Sequence, residues 1–257
     1  TVRIKDINPG TAGSNPANLT VVLDAKGVGK LFFTATDPTN GTELWKSDAS
    51  AAGTVLVKDI YTGSSGASTL VPNSSNPGNL VAMNGALFFT ATDAAAGTEL
   101  WKSDGSAAGT VRIKDINPGT AGSNPANLTN VGGALFFTAT DPASGTELWK
   151  SNASGAGTVL VKDIVPGAGS SVPTNLVNVG GKLYFLASDP ASGKELWKSD
   201  GVTTNLVKDI ASGADSSSPA SLTGLITSCS GKRSLPVRSG TVNSSTNARM
   251  AACTPWR

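Results

Sequence analysis

The sequence predicts an all-β fold, a β-propeller of four-stranded antiparallel blades, and three observations carry that prediction. Glu-Leu-Trp-Lys recurs with its tryptophan at Trp45, Trp101, Trp149 and Trp197, at steps of 56, 48 and 48 residues. Lys-Asp-Ile recurs five times, with its aspartate at Asp6, Asp59, Asp115, Asp163 and Asp209. Leu-Phe-Phe-Thr-Ala-Thr-Asp begins at Leu31, Leu87 and Leu135, and returns as Leu-Tyr-Phe-Leu-Ala-Ser-Asp at Leu183. Repetition at such a period marks propellers and solenoids, whose units bury their faces only against their neighbours. The 20 residues Thr1–Thr20 are identical to Thr110–Thr129, which points to recent duplication of units.

Each unit holds four strand-like runs. In the third they are Asn127–Val131, Ala134–Thr140, Thr146–Ser151 and Thr158–Ile164. Gly132 and Gly133 separate the first two, and the Asp141–Gly145 turn separates the next pair. Gly-Gly and Asp-led turns between apolar runs are hairpin signals, because glycine and aspartate tolerate turn conformations. The second and third runs are apolar or small on both faces, as in Leu87, Phe88, Phe89 and Leu100, Trp101. That pattern belongs to strands sandwiched between neighbouring layers. The fourth run alternates, with Lys58 between Val57 and Asp59, as an outer, partly wet strand would.

Composition agrees and excludes several classes. The 257 residues include 30 glycines and 14 prolines, the mixture of many short strands joined by tight turns. Net charge is +2 from 20 basic and 18 acidic residues, so no strong field draws nucleic acid or an anionic membrane. No apolar run is long enough to span a bilayer as a helix. Histidine is absent, which removes the commonest general base and metal ligand together. The chain begins at Thr1 without a methionine or leader and reads as a processed or excised piece.

The repeats occupy residues 1–227, and a divergent segment follows over 228–257. Thr1–Ile7 is a fourth-type run, four complete units follow it, and Pro219–Ile226 opens a fifth. That order predicts a five-bladed ring in which the N-terminal strand closes the last blade and leaves no open edge. The tail lacks both Leu-Phe-Phe and Glu-Leu-Trp. Two readings stand for it. One is an out-of-frame reading of a fifth repeat, which the encoding DNA decides. The other is an irregular closing part of the last blade, stapled by a Cys229–Cys253 disulfide worth ~3 kcal/mol. If the tail is disordered, both cysteines are free thiols.

Four repeated sets are candidate site residues. Trp45, Trp101, Trp149 and Trp197 invite sugar stacking, but packing between blades is the favoured role, since a buried indole dominates local packing. Asp37, Asp93, Asp141 and Asp189 recur at the turn after the second strand, on the face shared with the inter-blade loops. A carboxylate ring there suits a ligand or calcium; the competing role is to cap the turn backbone. Glu43, Glu99, Glu147 and Glu195 repeat as well. A glycosidase needs two carboxylates in unlike environments, whereas repetition supplies like ones. The Lys-Asp-Ile pairs point to opposite strand faces, and their aspartates are read as strand-ending caps.

The Glu99–Thr110 segment, ELWKSDGSAAGT, resembles the bacterial ELWxxDGT repeat family, and the likeness extends over residues 1–227. Ser106 stands where that pattern has threonine, and Asp48-Ala49 and Asn152-Ala153 replace Asp-Gly. The resemblance implies a propeller-like fold in secreted or surface-displayed proteins, and it transfers no catalytic residue. The expected function is therefore a non-enzymatic extracellular or cell-surface module, monomeric, adhering to glycan or protein ligands. A structural spacer and a propeller-type hydrolase or lyase are the alternatives. No cofactor is expected.

Overall fold

A computed structural model describes residues 1–66, 70–220 and 222. It holds four antiparallel sheets, one per repeat, each built in chain order from an inner to an outer strand. Blade 1 comprises β1 (Ala17–Leu23), β2 (Gly29–Asp37), β3 (Gly41–Ser47) and β4 (Val55–Lys58). A two-residue ladder, β5 (Ser64–Ser65) with β6 (Val71–Pro72), decorates the long loop that follows. Blade 2 is β7 (Gly78–Met83), β8 (Ala86–Asp93), β9 (Gly97–Ser103) and β10 (Val111–Lys114). Blade 3 is β11 (Ala126–Val131), β12 (Ala134–Asp141), β13 (Gly145–Ser151) and β14 (Val159–Lys162). Blade 4 is β15 (Thr174–Val179), β16 (Lys182–Asp189), β17 (Gly193–Ser199) and β18 (Thr204–Lys208). Residues 1–7 form no ladder, and the expected Cys229–Cys253 pair lies outside the described residues.

Inner strands adjoin one another: β1 lies beside β7, β7 beside β11, and β11 beside β15. No comparable contact joins β15 to β1. The architecture is thus all-β and propeller-like.

Alternation along the strands builds the core. The two phenylalanines of Leu-Phe-Phe point to opposite faces, so Phe89 joins the cluster shared with blade 1 and Phe88 the cluster shared with blade 3. Each cluster has the same recipe. Phe32, Leu44, Val57 and Ile60 of blade 1 meet Leu87, Phe89, Ala91 and Trp101 of blade 2. Phe88, Leu100, Ile113 and Ile116 meet Leu135, Phe137, Ala139 and Trp149. Phe136, Leu148 and Ile164 meet Leu183, Phe185, Ala187 and Trp197. Burying each Leu or Phe contributes about 2 kcal/mol, and almost all of that burial lies between blades.

Two irregularities set the strand geometry. Asn18, Asn79, Asn127 and Asn175 have φ of 53–56°, in the left-handed region that asparagine tolerates. Each falls where the inner-strand register shifts, a bulge that turns its carboxamide inward. A second shift separates outer-strand pairs such as Leu44↔Lys58 and Trp45↔Leu56. The lysine of Lys-Asp-Ile lies at this shift. Lys58 Nζ donates to the Thr110 carbonyl of the next blade at 2.9 Å and lies 6.0 Å from the Trp101 ring centre. Lys114 and Lys162 repeat both contacts, on Thr158 and Trp149 and on Thr204 and Trp197.

Candidate functional site

The four tryptophans sit in β3, β9, β13 and β17, each 5–7% exposed. Trp101, Trp149 and Trp197 lie inside clusters shared with the preceding blade. Trp45 packs with Phe33, Ala35 and Ile7. Their faces are occupied by protein rather than presented for stacking.

The turn aspartates end β2, β8, β12 and β16. Asp37 Oδ1 accepts the Thr39 and Asn40 amides at 2.7 and 2.8 Å, and Asp93 Oδ1 accepts those of Ala95 and Ala96, both at 2.8 Å. Asp141 and Asp189 accept the amides of Ala143 and Ala191, as an Asx-type cap does. Arg112 adds an ion pair to Asp93 at 2.7 Å. Burial works to raise Asp141, but hydrogen bonds from Ser144 and Ala143 outweigh it and hold the carboxyl below its usual range. Among the described residues, no group of three or more acidic, histidine or cysteine side chains is placed to hold a metal.

The Lys-Asp-Ile aspartates act partly as caps: Asp163 and Asp209 accept the Gly167 and Gly213 amides at 3.2 and 3.1 Å. One oxygen of Asp59, Asp115, Asp163 and Asp209 is nevertheless buried without a protein donor. Burial, with the nearby charge of Asp37, pushes Asp59 upward.

The glutamates are the structural centre of each junction. Glu43 is fully buried. It accepts the Ser75 amide at 2.8 Å, the Ser75 hydroxyl at 2.5 Å and the Ile60 amide at 3.2 Å. Glu99 binds Ser123 and Asn117, Glu147 binds Ser171, Ile164 and Val165, and Glu195 binds Ser217. Each carboxylate thus fastens its own blade to the loop entering the next. Burial lifts Glu43 to about 7 against the opposing hydrogen bonds, and lifts Glu99 and Glu147 in the same direction. Glu195 is lowered by the Ser217 hydroxyl and other donors.

The sign of the pH effect follows. A folded carboxyl near 7 binds its proton more tightly than the unfolded one at 4.5, so its stabilising contribution is complete below 4.5 and is lost as pH rises through 7. For Glu43 this amounts to about 3 kcal/mol. Urea denaturation at pH 5 and pH 8 is expected to show the chain more stable at pH 5.

A groove open to a ligand lies elsewhere, along the inner strands. It encloses about 430 Å³ and is lined by Asn18, Leu19 and Thr20 of β1, Asn79, Leu80 and Val81 of β7, and Asn127 and Leu128 of β11. The bulges hold the carboxamides in place. Asn18, Asn79 and Asn127 Nδ2 donate to Thr34, Thr90 and Thr138 Oγ1 of the second strand at 3.3–3.4 Å. The same Nδ2 atoms reach the carbonyls of Pro77, Pro125 and Pro173 in the next blade at 3.4 Å. In the sequence Asn18 and Asn127 stand out as the heads of Asn-Leu-Thr sequons, which in a repeat of bacterial type are incidental. The signal was Pro-x-Asn-Leu, which recurs at Pro16, Pro77, Pro125 and Pro173.

No family model and no curated protein matches the chain. Solved structures resemble its fold. An S511A mutant of puromycin hydrolase is 14% identical over 77% of this chain and 29% of its own, with a TM-score of 0.49. An alpha-L-arabinofuranosidase from Clostridium thermocellum is 13% identical over 76% of this chain and 73% of its own, TM-score 0.32. An endo-1,4-beta-xylanase from Bacteroides thetaiotaomicron is 11% identical over 73% of this chain and 70% of its own, TM-score 0.31. The chain therefore spans less than a third of puromycin hydrolase. The neighbours named here are hydrolases, which stands against the expectation of a non-enzymatic adhesion module, and the likeness itself is one of fold. The expectation rested on the sameness of the repeats, which describes the shared residues and is silent about chemistry placed once, outside them. No helix among the described residues is long and apolar enough to cross a membrane.

Proposed function

We propose that the chain is the substrate-facing propeller of an extracellular hydrolase acting on a neutral, hydroxyl-rich substrate, an oligosaccharide in class. The observation that carries this reading is the inner-strand groove. Its carboxamides and the Thr20 hydroxyl suit sugar hydroxyls, while Leu19, Leu80 and Leu128 suit the apolar faces of the rings. The groove contains no carboxylate, so bond cleavage is assigned to groups outside it, and the blades supply binding and orientation. Ring closure by a fifth blade, as the order of the runs suggests, would complete the wall of this groove.

Isothermal titration of the full chain with neutral xylo- and arabino-oligosaccharides tests the reading. Saturable binding is expected, and Thr20→Arg, which fills the groove from a half-buried position, is expected to weaken it at least about tenfold. Reducing-end release in the same samples reads the chemistry. Cleavage that Thr20→Arg suppresses supports the proposal. Neither binding nor cleavage, or binding indifferent to Thr20→Arg, overturns it.

A further inference from the structure

The asparagines of the inner-strand groove are held in one orientation. Asn18, Asn79 and Asn127 each carry two N–H hydrogens and meet two acceptors. One acceptor is a threonine hydroxyl of the same blade, on Thr34, Thr90 or Thr138, at 3.3–3.4 Å. The other is a main-chain carbonyl of the next blade, at Pro77, Pro125 or Pro173, at 3.4 Å. A carbonyl only accepts, so turning the carboxamide over would set oxygen against oxygen. The fold therefore decides which end of each carboxamide faces a ligand.

That end is the oxygen. Both N–H hydrogens are engaged, and among the described residues no protein donor reaches Oδ1 of Asn18, Asn79 or Asn127. The Thr20 hydroxyl is already donated to the Asn18 carbonyl at 3.2 Å, which leaves its lone pairs for a ligand. The other lining side chains are leucine and valine, and neither lysine nor arginine lines the groove. β1, β7 and β11 are end strands of their sheets. A free strand edge offers N–H and C=O groups alike, so the side chains set the bias. Three carboxamide oxygens and one hydroxyl oxygen stand ready to accept, and no side-chain N–H is left to donate.

We propose that the groove selects its oligosaccharide by hydrogen-bond polarity, taking sugars whose groups donate and rejecting acidic sugars. The proposal rests on the groove's role as an oligosaccharide site. A sugar hydroxyl that meets Oδ1 gives it a hydrogen. A uronate carboxylate has no hydrogen to give. It meets oxygen lone pairs instead, with its charge unpaired and part of its water removed. An unpaired charge of this kind acts against the wrong ligand while leaving the right one untouched. The chain's net charge is +2, so its overall field does not repel an anion, and the rejection arises inside the groove.

The probes are cellotetraose and the same sugar with its primary hydroxyls oxidised to carboxylates. They share a backbone and differ in that group alone. Isothermal titration of the full chain at neutral pH is expected to show cellotetraose bound at least about tenfold more tightly than the oxidised form. Thr20→Arg sets a guanidinium among the acceptors and supplies the donors that a carboxylate takes. In that variant the order is expected to reverse, with circular dichroism checking that the blades stay folded. Equal affinity for the two sugars in the unaltered chain, or tighter binding of the oxidised one, overturns the proposal and leaves the oligosaccharide reading standing. An order of preference that Thr20→Arg does not change overturns it as well. If neither sugar binds the unaltered chain the proposal falls, and the oligosaccharide reading falls with it only where xylotetraose also fails to bind.

Discussion

Glu43→Ala is expected to destabilise the folded chain by about 2–5 kcal/mol at pH 5, read from urea denaturation. The substitution leaves the Ser75 amide, the Ser75 hydroxyl and the Ile60 amide buried without an acceptor. Each orphaned donor costs about 1–3 kcal/mol, less whatever the loop recovers by relaxing. The loss is expected to shrink at pH 8. There the native carboxyl, held at about 7 by burial, is ionised in a site that penalises its charge. The variant should therefore also flatten the pH dependence. A variant as stable as the parent at pH 5 would show that the carboxylate does not join the blades.

The second large effect is complete loss of structure. The fragment Thr110–Ile164 contains β10 and all of blade 3, and its circular dichroism is expected to be that of a disordered chain. In the intact molecule Leu135, Phe137 and Trp149 are covered by Phe88 and Leu100 of blade 2. Phe136 and Leu148 are covered by Leu183 and Phe185 of blade 4. Excision keeps Ile113 and Ile116 but exposes most of both faces of one four-stranded sheet, and nothing remains to offset the conformational entropy of ordering it. A cooperative melt from this fragment would refute the account of stability given by the shared clusters.

Strand positions were legible because they depend on near-neighbour chemistry. The runs at Asn127–Val131, Ala134–Thr140 and Thr146–Ser151 match β11, β12 and β13 to within a residue at each end. Turn glycines and period-two alternation fix those boundaries locally. The role of Glu43 and its equivalents was not legible, because it rests on a serine 22 to 32 residues away in the next unit. The contacts of the Lys-Asp-Ile lysines were hidden for a related reason: the partners of Lys58, the Thr110 carbonyl and the Trp101 ring, lie in the next unit. The groove asparagines carry little signal in a turn-rich chain, where Asn18 and Asn127 stand out only as sequon heads. Their left-handed φ, rather than their identity, makes them unusual. Function was least legible of all, since repetition averages away whatever a single position does.

The glutamate and lysine ties between blades run one way. Glu43, Lys46 and Lys58 of blade 1 each reach backbone groups of the blade or loop that comes next, and blades 2 and 3 do the same with Glu99, Lys102 and Lys114 and with Glu147, Lys150 and Lys162. Because the receiving atoms belong mostly to the main chain, almost any unit is an acceptable successor to any other, whatever its surface sequence. Gene conversion and unequal crossing-over in whole multiples of the period then yield proteins that still stack. The identical 20-residue stretches are the trace such exchange leaves. Selection on surface loops can proceed blade by blade, because the grammar that joins one blade to the next is written in the parts every copy shares.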